Sequence, residues 1–262
     1  MYEIEWLAIG ETNVPESITF HLGNSEKLRR VIAYAFLLKA EDGRYHLIDT
    51  GVRSPEEINA GRPPERHWKI APSTTLLDQL LLTGVAPEDI DTVMLTHLHY
   101  DHCSQIGLFP NAQILVSRAE WLSVVAPVHK DMLRFTRYPR DVYGALVDSG
   151  WSRLRLITDM EEVLPGIEAW VLGGHTPGST AYLIETAVGR VVVAGDFINT
   201  YANWEQMIPP GLLVSLDQWF MGYMRLAKSQ SIVVPSHDPM LRENFADGLI
   251  TQPPGANSVN LA

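Results

Sequence analysis

The stretch Thr96-His97-Leu98-His99-Tyr100-Asp101-His102 continues a run of apolar and β-branched residues, 91–96, that reads as a short buried strand. Three imidazoles and a carboxylate between positions 97 and 102 form a nitrogen and oxygen donor set suited to zinc or a similar borderline metal. A fold that accommodates this stretch must bring the end of a strand to a place where other segments converge on a cation. An isolated histidine is usually a core or surface residue, and 9 in 262 is a mild excess. A cluster at a strand exit is a different observation, because α/β proteins assemble their sites where strands leave the sheet. If the segment turns as a loop, His97 and His99 reach one metal while Asp101 and His102 turn toward a second.

Other strand ends repeat the pattern. Gly173-Gly174-His175-Thr176-Pro177-Gly178-Ser179 follows the strand-like run 167–172, and its glycines and proline fix a tight loop around His175. Asp196 follows the apolar run 190–194, and His237 follows 231–234 through Pro235 and Ser236. Any one of these would be weak; their recurrence makes coincidence a poor account. Asp49 also ends a strand-like run, in Asp49-Thr50-Gly51, where it can reach the site, although a structural turn carboxylate is the simpler reading.

The elements between these ends alternate in the manner of a layered α/β protein. Runs 31–39 and 44–48 flank an Asp42-Gly43 turn and predict an antiparallel pair. Ser73 precedes Leu76, Leu77, Leu80 and Leu81, with Gly84 as a stop, which predicts a capped amphipathic helix. A strand at 112–117 with a helix at 118–126 follows, then strands at 181–185 and 190–194 and a helix at 215–228. Residues 127–153 carry Pro127, Pro139 and many charged and aromatic side chains, and are expected to be an insertion over the site. There Arg134, Arg137 and Arg140 recur every third residue; a solvated helix face is the simpler account, with Arg137 the candidate contact for an anionic substrate. The expected organisation is one domain, 1–250, and a flexible tail, 251–262, whose prolines and small polar residues offer little to bury.

Lys+Arg 20 against Asp+Glu 31 gives a net charge of −11, which argues against nucleic acid or an anionic membrane as partner. No run approaches the roughly 20 apolar residues of a membrane span, and the first residues lack the basic start and apolar core of a signal peptide. Cys103 is the single cysteine, so no intrachain disulfide can form, in keeping with a soluble protein of the reducing cytoplasm. Although Cys103 adjoins His102, its expected role is that of a small apolar packing residue opening the next helix, not a nucleophile.

Taken together, the heptapeptide, the Gly174-to-Ser179 loop, the Gly195-Asp196 pair and Ser236-His237 resemble the metallo-β-lactamase superfamily over nearly the entire chain. The resemblance implies an α/β fold, an αββα sandwich of two mixed β-sheets flanked by helices, with metals at one edge between the sheets. Carried over residue by residue, His97, His99 and His175 resemble the ligands of one metal, Asp101, His102 and His237 those of a second, and Asp196 the carboxylate bridging both. Two zinc ions are implied, with Mn, Fe or Co as other divalent choices, and a small-molecule acyl substrate attacked by a metal-bound hydroxide, with Asp101 and Asp196 at the reacting centre. Leu98 between the histidines, Tyr100, the chain length and Phe109-Pro110-Asn111-Ala112 are most similar to the lactonase branch, which includes N-acyl-homoserine lactonases. Those lactonases carry a tyrosine three residues after the bridging aspartate. Here Asn199 stands there, with Tyr201 two residues further on as an alternative catalytic group, so a lactone, a related ester or a cyclic amide are all open. Trp204 and Met207 are expected to line the pocket, and Phe220 and Tyr223 to be core. A thioesterase of the glyoxalase II type shares the metal set, and a mononuclear iron persulfide dioxygenase would be an oxidoreductase of another class. A homodimer is also open.

Overall fold

A computed structural model of the chain describes residues 1–72, 74–134, 136 and 138–251. Its strands are β1 (Tyr2–Pro15), β2 (Leu28–Ala40), β3 (Tyr45–Ile48), β4 (Ile90–Met94), β5 (Gln113–Ser117), β6 (Leu154–Ile157), β7 (Met160–Leu164), β8 (Ile167–Val171), β9 (Thr180–Thr186), β10 (Gly189–Val193) and β11 (Ile232–Val234). The pairing order runs β11-β10-β9-β1-β2-β3-β4-β5-β6, with β7 on β8 and β8 also on β9. β3 to β6 pair in parallel, β1 to β3 antiparallel, and β8 to β10 antiparallel with β11 parallel to β10, so both halves are mixed. The halves are joined by a single register pair, Tyr2 with Thr186.

Side-chain alternation turns this ladder into a sandwich, because successive strand residues face opposite sides. Along β2, Ile32, Tyr34, Phe36 and Leu38 enter one core together with Tyr182 and Ile184 of β9 and Val191 and Val193 of β10. That core is the layer between the two sheets. The opposite residues of β2, Ala33, Ala35 and Leu37, meet Leu76 and Leu80 of the helix Leu76–Thr83, Trp121 of the helix Arg118–Val125, and Val142 and Leu146 of the helix Arg140–Val147. On the far side, Ala181, Leu183 and Val192 pack under Trp219, Tyr223 and Leu226 of the helix Leu216–Lys228. Helices therefore cover both outer faces, as the αββα arrangement requires.

Some expectations are refined. β1, β6 and β7 are elements that patterning did not anticipate; β1 interleaves Glu3, Glu5 and Glu11 with its apolar residues. The helix expected behind Ser73 is capped by Thr75, whose hydroxyl accepts from the Asp78 amide while the Asp78 carboxylate bonds back; Ser73 itself lies outside the described residues. Cys103 ends, rather than opens, the short helix Tyr100–Cys103 and is fully buried in the outer core. Burial pushes its thiol well above the ordinary range, so it packs and does not attack. Phe220 departs from its expected core role: it is 39% exposed, whereas Tyr223 is buried. The tail 252–262 and Arg137 lie outside the described residues.

Candidate metal centre

Parallel pairing sets residues at equal distances beyond two strand ends side by side. Val193 of β10 is level with Val234 of β11, and three residues past each stand Asp196 and His237. In the other sheet Ile48 is level with Met94, followed by Asp49 and, three residues past Met94, His97. His175 arrives on the loop after β8. At Asp196 the turn depends on Gly195, which has φ 53° and whose absent Cβ would lie 2.5 Å from Thr96 Oγ1.

The ligand atoms fall into two groups, His97, His99, His175 and Asp196 in one and Asp101, His102 and His237 in the other, each set lying within 4.8 Å of one another. In the first, His99 Nδ1 is 3.0 Å from His97 Nε2 and 3.1 Å from His175 Nε2. Three ring nitrogens converge there, at close to the N···N spacing of about 3.3 Å that tetrahedral Zn–N bonds of 2.0–2.1 Å impose. Asp196 faces both groups. Its Oδ1 lies 3.0 Å from His102 Nε2 and 2.8 Å from His237 Nε2, and its Oδ2 lies 3.4 Å from His175 Nε2. His102 Nε2 is buried without a hydrogen bond of good geometry, as expected of a lone pair reserved for a cation. The donor chemistry and spacing fit a dinuclear divalent metal centre.

The other ring nitrogens are fixed from behind. His102 Nδ1 is 2.7 Å from Asp49 Oδ2, His175 Nδ1 2.7 Å from the Leu212 carbonyl, and His237 Nδ1 2.8 Å from the Ile32 carbonyl. Each such partner selects the tautomer that leaves Nε2 facing the centre. Asp49, left open as a turn residue by the sequence, is a buried outer partner in an uncommon left-handed conformation, φ 58°. It also accepts from Thr96 N (2.8 Å) and Thr96 Oγ1 (2.7 Å), and Thr96 Oγ1 lies 3.1 Å from His97 Nδ1. Burial pushes His97 well below, and His175 below, the ordinary histidine range, which keeps them neutral donors. His102 and His237 are raised despite burial by the Asp196 carboxylate, joined by Asp49 at His102, so the second group attracts positive charge.

Comparison with known proteins decides the family. Residues 28–224 match the model of the metallo-beta-lactamase superfamily. The chain belongs to that superfamily. It is 30% identical over 185 residues to an N-acyl homoserine lactonase of Bacillus cereus, an overlap covering 67% of this chain and 68% of the relative. An N-acyl homoserine lactone hydrolase structure with the product N-hexanoyl-L-homoserine at its catalytic metal centre superimposes with a TM-score of 0.77 at 23% identity, covering 92% of this chain and 95% of that one. A second structure, AidC, a dizinc quorum-quenching lactonase in complex with the same type of product, gives a TM-score of 0.68 at 19% identity, covering 98% and 92%. His237 lies beyond the matched segment of the metallo-beta-lactamase model, so its place in the centre rests on the geometry above.

In this metallo-beta-lactamase fold the cavity beside the centre is lined by the polar side chains of His99, Asp101, His175, Asp196, Asn199 and His237. Val14, Ile18, Val31, Trp68 and Leu212 add apolar surface to the same cavity. Asn199 is buried, and its Oδ1 has no hydrogen-bond partner. The remaining candidates stand elsewhere. Tyr201 starts the helix Tyr201–Glu205, donates its amide to Asp238 and packs against the inter-sheet core; burial raises its phenol to about 12. Trp204 is buried in the outer core against Tyr223, with ring centroids 4.7 Å apart. Met207 is 37% exposed after that helix, at φ 54°. Thr200 caps the helix and turns the chain away from the cavity, so neither Trp204 nor Met207 lines it. Arg140 is exposed at the start of its helix. Val14 of β1 and Ile18 of the short helix Glu16–Thr19 are lining residues that sequence patterning does not indicate, since β1 itself is not anticipated.

Proposed function

We propose that this chain is a dinuclear metal-dependent hydrolase that opens a lactone or cleaves a related ester or cyclic amide, with zinc in both positions. The observation that carries this reading is Asp196, whose two oxygens face separate clusters of ligand atoms. His97, His99 and His175 would hold one ion, Asp101, His102 and His237 the other, and Asp196 both. Bound there, such a pair supplies Lewis acidity to a carbonyl and leaving oxygen and acidifies water toward neutrality. A borderline ion suits the histidine-rich donors, and one structural neighbour is described as dizinc.

The chain's own residues shape what enters. The cavity lining combines polar and apolar side chains, which suits an acyl group with a non-polar arm, such as the acyl homoserine lactones after which the relatives are named. Asn199 is one of the polar lining residues. Its main chain is locked to the His237 loop, the Asn199 carbonyl accepting from the His237 amide at 2.9 Å and the Ile198 carbonyl from Ser236 at 3.1 Å. The Asn199 Oδ1 is a buried acceptor without a partner, which costs about 1–3 kcal/mol, and a substrate N–H or O–H that donates to it recovers that energy. On this reading Asn199, rather than Tyr201, orients the substrate, through a donor group beside the reacting carbonyl.

Chelator treatment followed by a lactone-hydrolysis assay tests the reading. The metal-free protein is expected to be inactive and to regain activity with two equivalents of zinc per chain. Undiminished hydrolysis without metal would rule it out.

A further inference from the structure

Glu120 lies in the first turn of the helix Arg118–Val125, where an acidic residue ordinarily points to solvent, yet it is completely buried. Its carboxylate spans two loops. Oε1 accepts from the Leu98 amide at 3.0 Å, between the ligand candidates His97 and His99, and Oε2 accepts from the Gly178 amide at 3.1 Å, on the loop that carries His175. Thr176 and Tyr138 stand close enough to stabilise its charge, their hydroxyls lying 2.8 Å from Ser179 Oγ and 3.2 Å from Ser123 Oγ. Tyr138 comes from the segment 127–153, and its ring lies 5.4 Å from that of His99. The same helix end grips the second loop again through Ser117, whose hydroxyl donates to the Gly178 carbonyl at 2.8 Å. No side chain fits at Gly178, since a Cβ would lie 2.1 Å from Ser117 Oγ and 2.2 Å from Glu120 N.

We infer that Glu120 is the positioning residue of the three-histidine half of the centre. This rests on the two-ion reading above and deepens it. The carboxylate acts on main-chain amides, and together with the Thr180 amide, which donates to the Thr96 carbonyl at 2.9 Å, it sets the spacing between the His97/His99 loop and the His175 loop. Two amide donors on different loops need two acceptor oxygens, and a carboxylate provides both with fixed geometry. Asp101, His102 and His237 have no hydrogen bond to Glu120, and only the three-histidine half draws ligands from both of the loops that it ties, so its support falls chiefly on that half.

The test is zinc binding to full-length protein measured by competition with a chromophoric chelator, in parallel with metal content and thermal unfolding. Wild type is expected to bind two ions. In Glu120→Gln, which keeps one acceptor, one ion should bind roughly 10-fold more weakly and the other as before; in Glu120→Ala the weakened ion should fall by about 100-fold. Should Glu120→Ala not fold, Glu120→Gln decides alone, through the ratio of its two zinc affinities. Equal weakening of both ions, or a lower unfolding temperature with both affinities unchanged, would overturn the inference while leaving the two-ion reading intact. A wild-type chain that binds no second ion would overturn both.

Discussion

The two halves of the centre share one kind of support and differ in a second. In the half built on Asp101, His102 and His237, support runs ring by ring: Asp49 and the Ile32 carbonyl each take one imidazole Nδ1. In the half built on His97, His99 and His175, Thr96 and the Leu212 carbonyl stand at two ring Nδ1 atoms in the same way, and support of the main chain is added through the Glu120 contacts to Leu98 and Gly178. Ring-by-ring support sets tautomer and basicity, whereas loop support sets the distance between segments that approach from different sheets. Asp196 couples the halves, and Asp49, through Thr96, reaches a little way into the other.

The strongest way to break this comparison is to remove what the halves share. Asp196→Ala should cost more in activity and metal content than loss of any outer partner, hence more than about 100-fold in kcat/KM. Metal analysis checks it: if the variant keeps both ions at wild-type affinity, the halves do not depend on a common carboxylate. Next in size is Asp49→Asn, which keeps a residue tolerant of left-handed backbone but removes the charge behind His102. One ion should bind about 10- to 100-fold more weakly, and chelator competition should show a smaller change at the other, transmitted through Thr96 and His97.

A smaller effect concerns the substrate side. Asn199→Ala should reduce kcat/KM by about tenfold, the worth of one well-placed hydrogen bond from a substrate donor, without altering zinc content. Asn199→Tyr introduces a phenol that can donate to a carbonyl or leaving oxygen, and the variant's activity on N-acyl homoserine lactones relative to simple esters should rise. If the ratio is unchanged, position 199 does not read the substrate.

Residues that bind by element type at strand ends were legible in the sequence, because His and Asp after apolar runs have few structural reasons to recur. Their outer partners were not. Glu120 follows Ser117 at the spacing of a helix cap, and that local pattern already accounts for an acidic residue in the first turn; nothing local shows that its side chain turns inward between two loops. Asp49 was seen, but a polar bend after a strand is common enough that only the distance to His102 separates support from a turn. The layered fold was readable from alternation, while in β1 the period of two breaks, Ile4 and Leu7 both being buried and the register shifting between Ala8 and Gly10. Trp204 and Met207 were misplaced for a related reason: proximity in sequence to Asp196 says nothing about the direction in which the Thr200-capped helix leaves.

His46 gives the smallest effect and a control outside both halves. It is buried on β3 with no hydrogen bond to either ring nitrogen, its ring centroid 6.0 Å from that of Tyr2. Burial lowers it below the ordinary value of 6.5, so the folded protein holds it neutral while the unfolded chain titrates near 6.5. Below that pH the unfolded state binds more protons, so stability is full above about 6.5 and is lost as pH falls toward the depressed folded value. His46→Leu removes this liability and two unpaired ring nitrogens. Thermal unfolding should therefore show a gain for the variant that is larger at pH 5 than at pH 8, with zinc content and lactone hydrolysis at pH 8 unchanged. An equal gain at both pH values would mean that packing alone, not the buried proton site, distinguishes the two proteins.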